Sequence, residues 1–189
     1  MRSVAGKQEQ AEERLRILVT SGALGALALL LPVAFHAVGL GSKFLPMLLP
    51  LLLNGFLVPP GWAATVGLLV PWVSTLATGM PPLYPPVVAV VSAEGAVLGG
   101  VAGLLYRRLG TGLWVALVTA VLAGRLTAWA SSYVLAKWFG LPAALASVAM
   151  LVQGLPGVAL QMAVVPFVVR VLEQRDSVLL GRDRKDRID

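Results

Sequence analysis

The sequence predicts an all-α, polytopic membrane protein, a bundle of six transmembrane helices with both termini in the cytoplasm. Hydrophobic residues make up 58% of the 189 residues, and only 13% are charged, against about 25% in an ordinary soluble domain. The mean hydropathy is +0.84. The charged residues also collect at the two ends of the chain and in short loops. A soluble protein with this composition would need several buried helices with almost no polar faces.

Turn residues between the apolar runs set the limits of the predicted helices. A polar lead-in over residues 1–14 precedes the membrane domain of residues 15–172, and a charged tail over residues 173–189 follows it. The helices are predicted over residues 15–35, 45–58, 62–78, 86–106, 113–137 and 142–172. The second and third are short, because 14 residues rise only about 21 Å and 17 residues about 26 Å, against an apolar core of about 30 Å. They are either tilted or kinked spans or partly re-entrant segments. We expect the sixth helix to break near residues 154–157.

The basic residues predict the orientation of the bundle. Six helices place both termini on one side, and most lysines and arginines fall on that side. In the loops of the other side only Lys43 and Lys137 occur. Because basic loops stay in the cytoplasm, we expect cytoplasmic termini and a multi-pass protein of the cytoplasmic membrane. The net charge of +6 is then the positive-inside signal of a membrane protein. The lipid bilayer is the expected partner, and no nucleic acid is expected.

The predicted fourth helix combines an acid with a stripe of glycines. Glu94 is the only acid of an apolar run, and Gly95, Gly99 and Gly103 follow it at four-residue spacing. A carboxylate in such a run must face protein, water or a ligand. The glycines leave a smooth side on which another helix, from this chain or from a partner, can come close.

Arg125 is the charged residue that the predicted fifth helix places at the level of this acid. It follows Gly112 by 13 residues, and Glu94 precedes Arg107 by 13 residues, so that both charges lie roughly 20 Å from the inner boundary. Two interpretations are open. The two side chains form a structural ion pair, or one or both face an outward cavity and bind a polar solute. The fork of an arginine suits a planar carboxylate or amide.

Further side chains near this level extend the predicted solute site. Trp129 lies one turn beyond Arg125, and Tyr84 and Met80 lie in the proline-rich loop that precedes the helix of Glu94. A tryptophan beside an arginine would suit a flat ring. Aromatic residues near a membrane interface also occur simply as belt residues, so this alternative stays open.

Two amides complete the set of candidate ligands. Gln153 lies at the predicted break of the sixth helix, and free backbone groups at such a break are tolerated only inside protein or against a cavity. Asn54, on the predicted second helix, is the weaker candidate.

Small residues on the first helix predict a contact face. Gly22 and Ala26 form one pair at four-residue spacing, and Ser21 and Gly25 form another. Such pairs let two helices approach closely. The partner is either another helix of the same chain or a second protein.

The sequence lacks the residues of several common active sites. It has no cysteine and one histidine, which excludes a disulfide framework and a cysteine or multi-histidine metal site. It contains neither a phosphate-binding loop of the Walker type nor an H-E-x-x-H motif. We therefore predict no enzymatic activity, no metal and no cofactor.

Four segments carry a resemblance to a known family: SGALGALA, GLGSKFLPMLLPLLLNGFLVPP, PWVSTLATGMPPLYP and GLPGVALQMAVVP. They resemble segments of the substrate-binding S components of energy-coupling factor (ECF) transporters, and the resemblance covers residues 15–172. It implies capture of a vitamin or precursor from outside the cell, with a membrane T component and two ATPase subunits as partners. In that family an A-x-x-x-A pair on the first helix docks on the T component. Gly22 and Ala26, beside Ser21 and Gly25, hold that place here.

Two other classes of membrane protein remain open at this point. A self-sufficient secondary permease would use Glu94 as its titrating group, although no internal repeat is evident. A scaffold subunit would assemble a larger complex without binding a solute. Isolation of the chain in a complex with two ATPases would favour an S component over both.

Overall fold

In the computed structural model the chain folds as a bundle of helices. The structure describes residues 2–37, 39, 44–84, 86–140, 152 and 154–179. Within these ranges every regular element is helical. The helices are α1 (Arg2–Ala37), α2 (Leu48–Leu57), α3 (Pro60–Thr78), α4 (Val87–Gly103), α5 (Leu113–Phe139) and α6 (Leu155–Leu179). A π-helical turn, Leu104–Arg108, continues α4.

Five of the described helices are long and apolar enough to cross a membrane, and they are α1, α3, α4 with its π turn, α5 and α6. This confirms the predicted all-α, polytopic membrane protein. α2 differs from the other five because its 10 residues rise only about 15 Å, and most of them are buried. α3 has 19 residues, or about 28 Å, and is therefore long enough to span. It is two residues longer than the third helix that the sequence predicted.

The ends of α1 and α6 also differ from the predicted limits. α1 begins at Arg2, so the polar lead-in is the first part of the same helix. Its glutamine, glutamate and arginine residues are good helix formers, which explains why the helix continues beyond the apolar run. α6 extends to Leu179, past the predicted end at residue 172. The start of the predicted sixth helix, at residues 142–151, and the end of the tail, at residues 180–189, lie outside the described residues.

The glycine stripe of α4 packs inside the bundle, against α2 and α3. A Cβ atom added to Gly95 would lie 2.8 Å from the backbone oxygen of Gly67 on α3, and one on Gly99 would lie 3.1 Å from that of Ala63. A Cβ atom on Gly55 of α2 would lie 2.6 Å from the backbone oxygen of Gly99. The predicted close approach of another helix is confirmed. Its partners belong to the same chain, so the stripe is not available to a second protein.

The rest of the core joins α4 to α5 and α6. It is apolar, and its fully buried members come from α2, α4, α5 and α6. They are Leu52, Leu53, Phe56, Leu98, Ala102, Ala116, Leu117, Ala120, Val121, Val165 and Val169. α4 therefore lies at the centre, with a glycine contact on one side and a side-chain core on the other.

Candidate functional site

Glu94 of α4 and Arg125 of α5 form an ion pair inside the bundle, through Oε1 of the acid and Nη2 of the guanidinium. The side chain of Glu94 is 3% exposed and that of Arg125 is 14% exposed. The residue before the arginine, Gly124, packs beside the acid. A Cβ atom there would lie 3.6 Å from Cγ of Glu94, which is an ordinary contact, and 3.1 Å from Cδ1 of Leu98, which is a tight one. The two charges, which the sequence predicted at equal depth, are thus in direct contact.

The ion pair limits what each partner can do. Removing one partner of a buried pair leaves the other charge uncompensated, which typically costs about 3–5 kcal/mol. The guanidinium has five N–H donors, and one carboxylate accepts two of them at most in a fork-to-fork contact. Arg125 therefore keeps N–H donors beyond those that Glu94 can accept, and its side chain is partly exposed.

Trp129 lies at the bundle surface, one turn along α5 from Arg125. Its ring stacks with that of Tyr133, at a centroid distance of 6.1 Å and an interplanar angle of 24°. Trp129 is 40% exposed and Tyr133 is 53% exposed. One face of the indole is thus taken up by Tyr133, and contact of Trp129 with a solute stays a prediction.

Met80 and Tyr84 lie in the exposed loop between α3 and α4. Gly79 ends α3 with φ of 75°, a left-handed conformation that glycine adopts without strain. The hydroxyl of Thr75 then donates a hydrogen bond to the backbone oxygen of Pro81 at 2.6 Å, which holds the start of the loop. Glu94 lies seven residues into α4, about 10 Å along its axis. The loop thus lies at the N-terminal end of α4, about two helical turns from the level of the ion pair.

Of the two candidate amides, the structure describes Asn54. It is fully buried, and its Oδ1 accepts a hydrogen bond of 3.3 Å from the Ser21 hydroxyl of α1. Its Nδ2 has no hydrogen-bond partner among the described residues. The next residue, Gly55, packs at Gly99, more than one turn beyond Glu94. Asn54 therefore joins α1 to α2 away from the ion pair. Gln153 lies outside the described residues.

The structure separates the two small-residue pairs of α1. Ser21 is 7% exposed, and a Cβ atom on Gly25 would lie 3.6 Å from Cγ2 of Val70 on α3. Gly22 and Ala26 lie on the exposed side of the helix, and a Cβ atom on Gly22 would meet nothing within 4 Å. The predicted docking role of Ser21 and Gly25 is corrected, because both are engaged inside the fold. The outer pair stays a prediction.

Sequence reasoning missed a polar cluster at the end of the bundle that holds the N-terminal half of α1. The Tyr106 hydroxyl donates a hydrogen bond to Glu173 of α6. Nη1 of Arg107 donates to the backbone oxygen of Leu57, the last residue of α2, at 2.8 Å. The sequence carries one signal for this cluster, the adjacent Tyr106, Arg107 and Arg108 at the end of the apolar run of α4.

One family model matches the chain, and its description is "ECF transporter, substrate-specific component". The match covers residues 16–169, which include Glu94, Arg125 and the outer pair of α1. No curated protein and no solved structure matches the chain. The extent of the family match, together with the bundle of apolar helices, shows that the chain belongs to the family of substrate-specific components of ECF transporters.

Proposed function

We propose that this transport component captures a small vitamin or vitamin precursor from outside the cell, for uptake driven by a membrane T component and two ATPase subunits. The observation that carries the proposal is the buried ion pair of Glu94 and Arg125, which places a donor-rich group inside the membrane domain of a substrate-specific component. Charged groups at this depth are expensive and usually serve function.

In the proposed site Arg125 makes a charge-assisted hydrogen bond to a ring-bearing or carboxylate-bearing solute. Glu94 holds the guanidinium in place, and it accepts a hydrogen bond from the solute if the solute carries a donor. Trp129 contributes an aromatic face, and Met80 and Tyr84 flank the site from the loop. Gln153 is a further proposed ligand. Asn54 stays the weaker proposed ligand, because its Oδ1 already accepts a hydrogen bond from Ser21, whereas its Nδ2 has no partner among the described residues.

The decisive experiment identifies the solute. The full chain is purified from cells in a mild detergent, and the small molecules released on denaturation are identified by mass spectrometry. A single ring-bearing or carboxylate-bearing compound, which raises the melting temperature when added back, is the expected result. A chain that releases no compound and is stabilised by none of the candidate vitamins would instead support a scaffold subunit.

Substitutions then locate the binding site of that solute. Losing a charged hydrogen bond corresponds to ~1.5–3 kcal/mol, or roughly tenfold to more than a hundredfold in affinity. Arg125→Ala should weaken binding by that factor and Trp129→Ala by less. The double variant Glu94→Gln, Arg125→Gln removes both charges, so that no unpaired charge remains in the bundle. If it binds the solute like the parent, the pair is structural only and the site lies elsewhere.

The orientation of the bundle belongs to the same proposal, because capture from outside requires cytoplasmic termini. The basic residues at the ends of α1, α4 and α6 support this orientation. A reporter that is active only in the cytoplasm, fused after Asp189, should be active. Activity of an exterior-dependent reporter at the same position would reverse the orientation and contradict the proposed direction of capture.

Docking of the T component is proposed on the outer side of α1. Gly22 and Ala26 leave this side smooth and free of neighbours within the described part of the chain. A partner helix can come close there, because association of helices in a membrane depends on packing rather than on burial from water.

A further inference from the structure

A cavity of about 400 Å³ lies at the end of the bundle opposite the α3–α4 loop. It is formed by α1, the end of α2, the π turn after α4, and α6. Its volume falls within the range of about 300–1,000 Å³ that is typical of ligand sites. The ion pair of Glu94 and Arg125 does not contribute to it. This cavity is thus separate from the site proposed for the solute.

The polar side of the cavity favours an anion. Arg16 and Arg107 supply two guanidinium groups against the single carboxylate of Glu173, and Thr20 adds a hydroxyl. Glu173 already accepts a hydrogen bond from the Tyr106 hydroxyl. Arg107 is held at the wall by its hydrogen bond of 2.8 Å to the backbone oxygen of Leu57, which uses one of its five N–H donors. Arginine forks match the oxygen geometry of a phosphate group.

The cavity lining also includes apolar side chains. Phe56 and Leu57 contribute from α2, and Val169 and Leu172 contribute from α6. A free inorganic anion would make no use of these side chains. A molecule with a phosphate group joined to a hydrocarbon chain would contact both the polar and the apolar residues.

The cavity also lies at the level where a membrane changes from hydrocarbon to headgroups. The apolar run of α4 ends where Arg107 and Arg108 begin, and that of α6 gives way to charged residues at Arg170, Glu173 and Arg175. The cavity residues Arg107 and Glu173 belong to these charged ends. Basic pockets between transmembrane helices at such a level bind the headgroups of anionic lipids.

The π turn fixes the geometry of this end of α4. The N–H of Leu109 donates to the backbone oxygen of Leu104 at 2.9 Å, five residues earlier, and the turn holds both Tyr106 and Arg107. The ring of Tyr106 packs edge-on against Phe56 at a centroid distance of 5.1 Å. The side chains of the cavity are thus positioned by packing before any ligand binds.

We propose that this cavity binds the phosphate group of an anionic phospholipid, with Arg16 and Arg107 on the phosphate and an acyl chain against the apolar residues of the lining. The proposal does not depend on the identity of the transported solute, because no residue is shared between the two sites.

The test uses the full chain, purified in detergent and stripped of lipid. Dioctanoyl phosphatidylglycerol is added as the anionic probe, dioctanoyl phosphatidylcholine as the zwitterionic probe, and inorganic phosphate as the free anion. We expect phosphatidylglycerol to bind and to raise the melting temperature, with at least about tenfold weaker binding of the other two. The variant Arg16→Gln, Arg107→Gln should weaken phosphatidylglycerol binding by about tenfold or more.

The matched control is Arg108→Gln, which removes the same charge from the next residue, outside the cavity lining. It should bind phosphatidylglycerol like the parent. If the double variant does not fold, Arg16→Gln alone carries the test, because it leaves the hydrogen bond from Arg107 to Leu57 in place.

Three results would overturn the proposal. Equal loss of binding in Arg108→Gln would show diffuse attraction to a basic surface. Equal binding of inorganic phosphate would show a simple anion site. Unchanged lipid binding in the Arg16 and Arg107 variants, together with loss of the complex with the T component, would show that the cavity serves a protein partner instead.

Discussion

On α4, Gly95, Gly99 and Gly103 repeat every four residues, and on α1 Gly22 and Ala26 have the same spacing. The surroundings of the two stripes are opposite. A Cβ atom at any of the three α4 glycines would lie within 3.1 Å of a backbone atom from another helix. A Cβ atom at Gly22 would meet nothing within 4 Å.

The difference shows what a small-residue stripe encodes. In a membrane, helices associate through packing, because lipid tails are as apolar as the helix surface. A stripe therefore predicts that a helix can come close, but it does not say whether that helix belongs to the same chain. On α4 the stripe is filled by α2 and α3, which fixes these three helices as one unit. On α1 no described helix fills the stripe, and a second protein is its proposed partner. Four substitutions test this comparison, taken in order of their expected effect on the stability of the fold.

The largest effect is expected from Gly67→Leu, on the α3 side of the filled stripe. A Cβ atom at Gly67 would lie 2.3 Å from the backbone oxygen of Gly95, so that α3 and α4 would have to separate. Overpacking of a core against side chains costs about 1–3 kcal/mol, and a clash with backbone costs more because the helices cannot yield locally. We expect no folded protein on size-exclusion chromatography. Gly22→Leu is the control and should fold like the parent. A folded Gly67→Leu variant would mean that α3 and α4 are not held by close contact.

The second effect is expected on the other side of α4, where Glu94 meets α5. Arg125→Ala leaves the buried carboxylate of Glu94 without its partner and should lower the free energy of unfolding by about 3–5 kcal/mol. The double variant Glu94→Gln, Arg125→Gln should be clearly more stable than Arg125→Ala, because it contains neither charge. The measurement is the melting temperature in detergent of Arg125→Ala, Arg125→Gln and the double variant. If the double variant is as unstable as Arg125→Ala, the two residues do not act as a pair.

The sequence predicted much of this fold from hydropathy and charge. The limits of α4 and α5 follow from the apolar runs and from Arg107 and Arg108, because a helix leaves the membrane where basic residues begin. The contact between Glu94 and Arg125 follows from counting residues to the same boundary. Hydropathy says whether a residue prefers lipid to water, but not which helix lies beside it. The burial of α2, the inward turn of Ser21 and Gly25, and the π turn depend on that neighbour and were therefore not predicted.

A smaller effect is expected where α1 meets α2. Ser21→Ala removes the hydrogen bond of 3.3 Å to Oδ1 of Asn54. Hydrogen bonds between membrane helices contribute about 0.6 kcal/mol on average, so the melting temperature should fall only slightly. Thr65→Val is the control, because the hydroxyl of Thr65 bonds only to its own helix, at Gly61. A loss as large as that of Arg125→Ala would show that the buried amide, and not close packing, holds α1 in place.

The smallest effect on the fold is expected from Ala26→Trp on the open stripe. Its side chain lies on the exposed side of α1, so a tryptophan there should leave the melting temperature and the solute affinity unchanged. If the T component docks on this side, the same indole should hold its helix away and strongly reduce copurification of the T component and the ATPases. Leu122→Trp, on the exposed side of α5, carries the same bulk on a different helix and should not affect the complex. An intact complex with bulky residues at both Gly22 and Ala26 would show that the stripe on α1 faces only lipid. The two stripes would then differ only in that α4 packs against helices of its own chain and α1 packs against none.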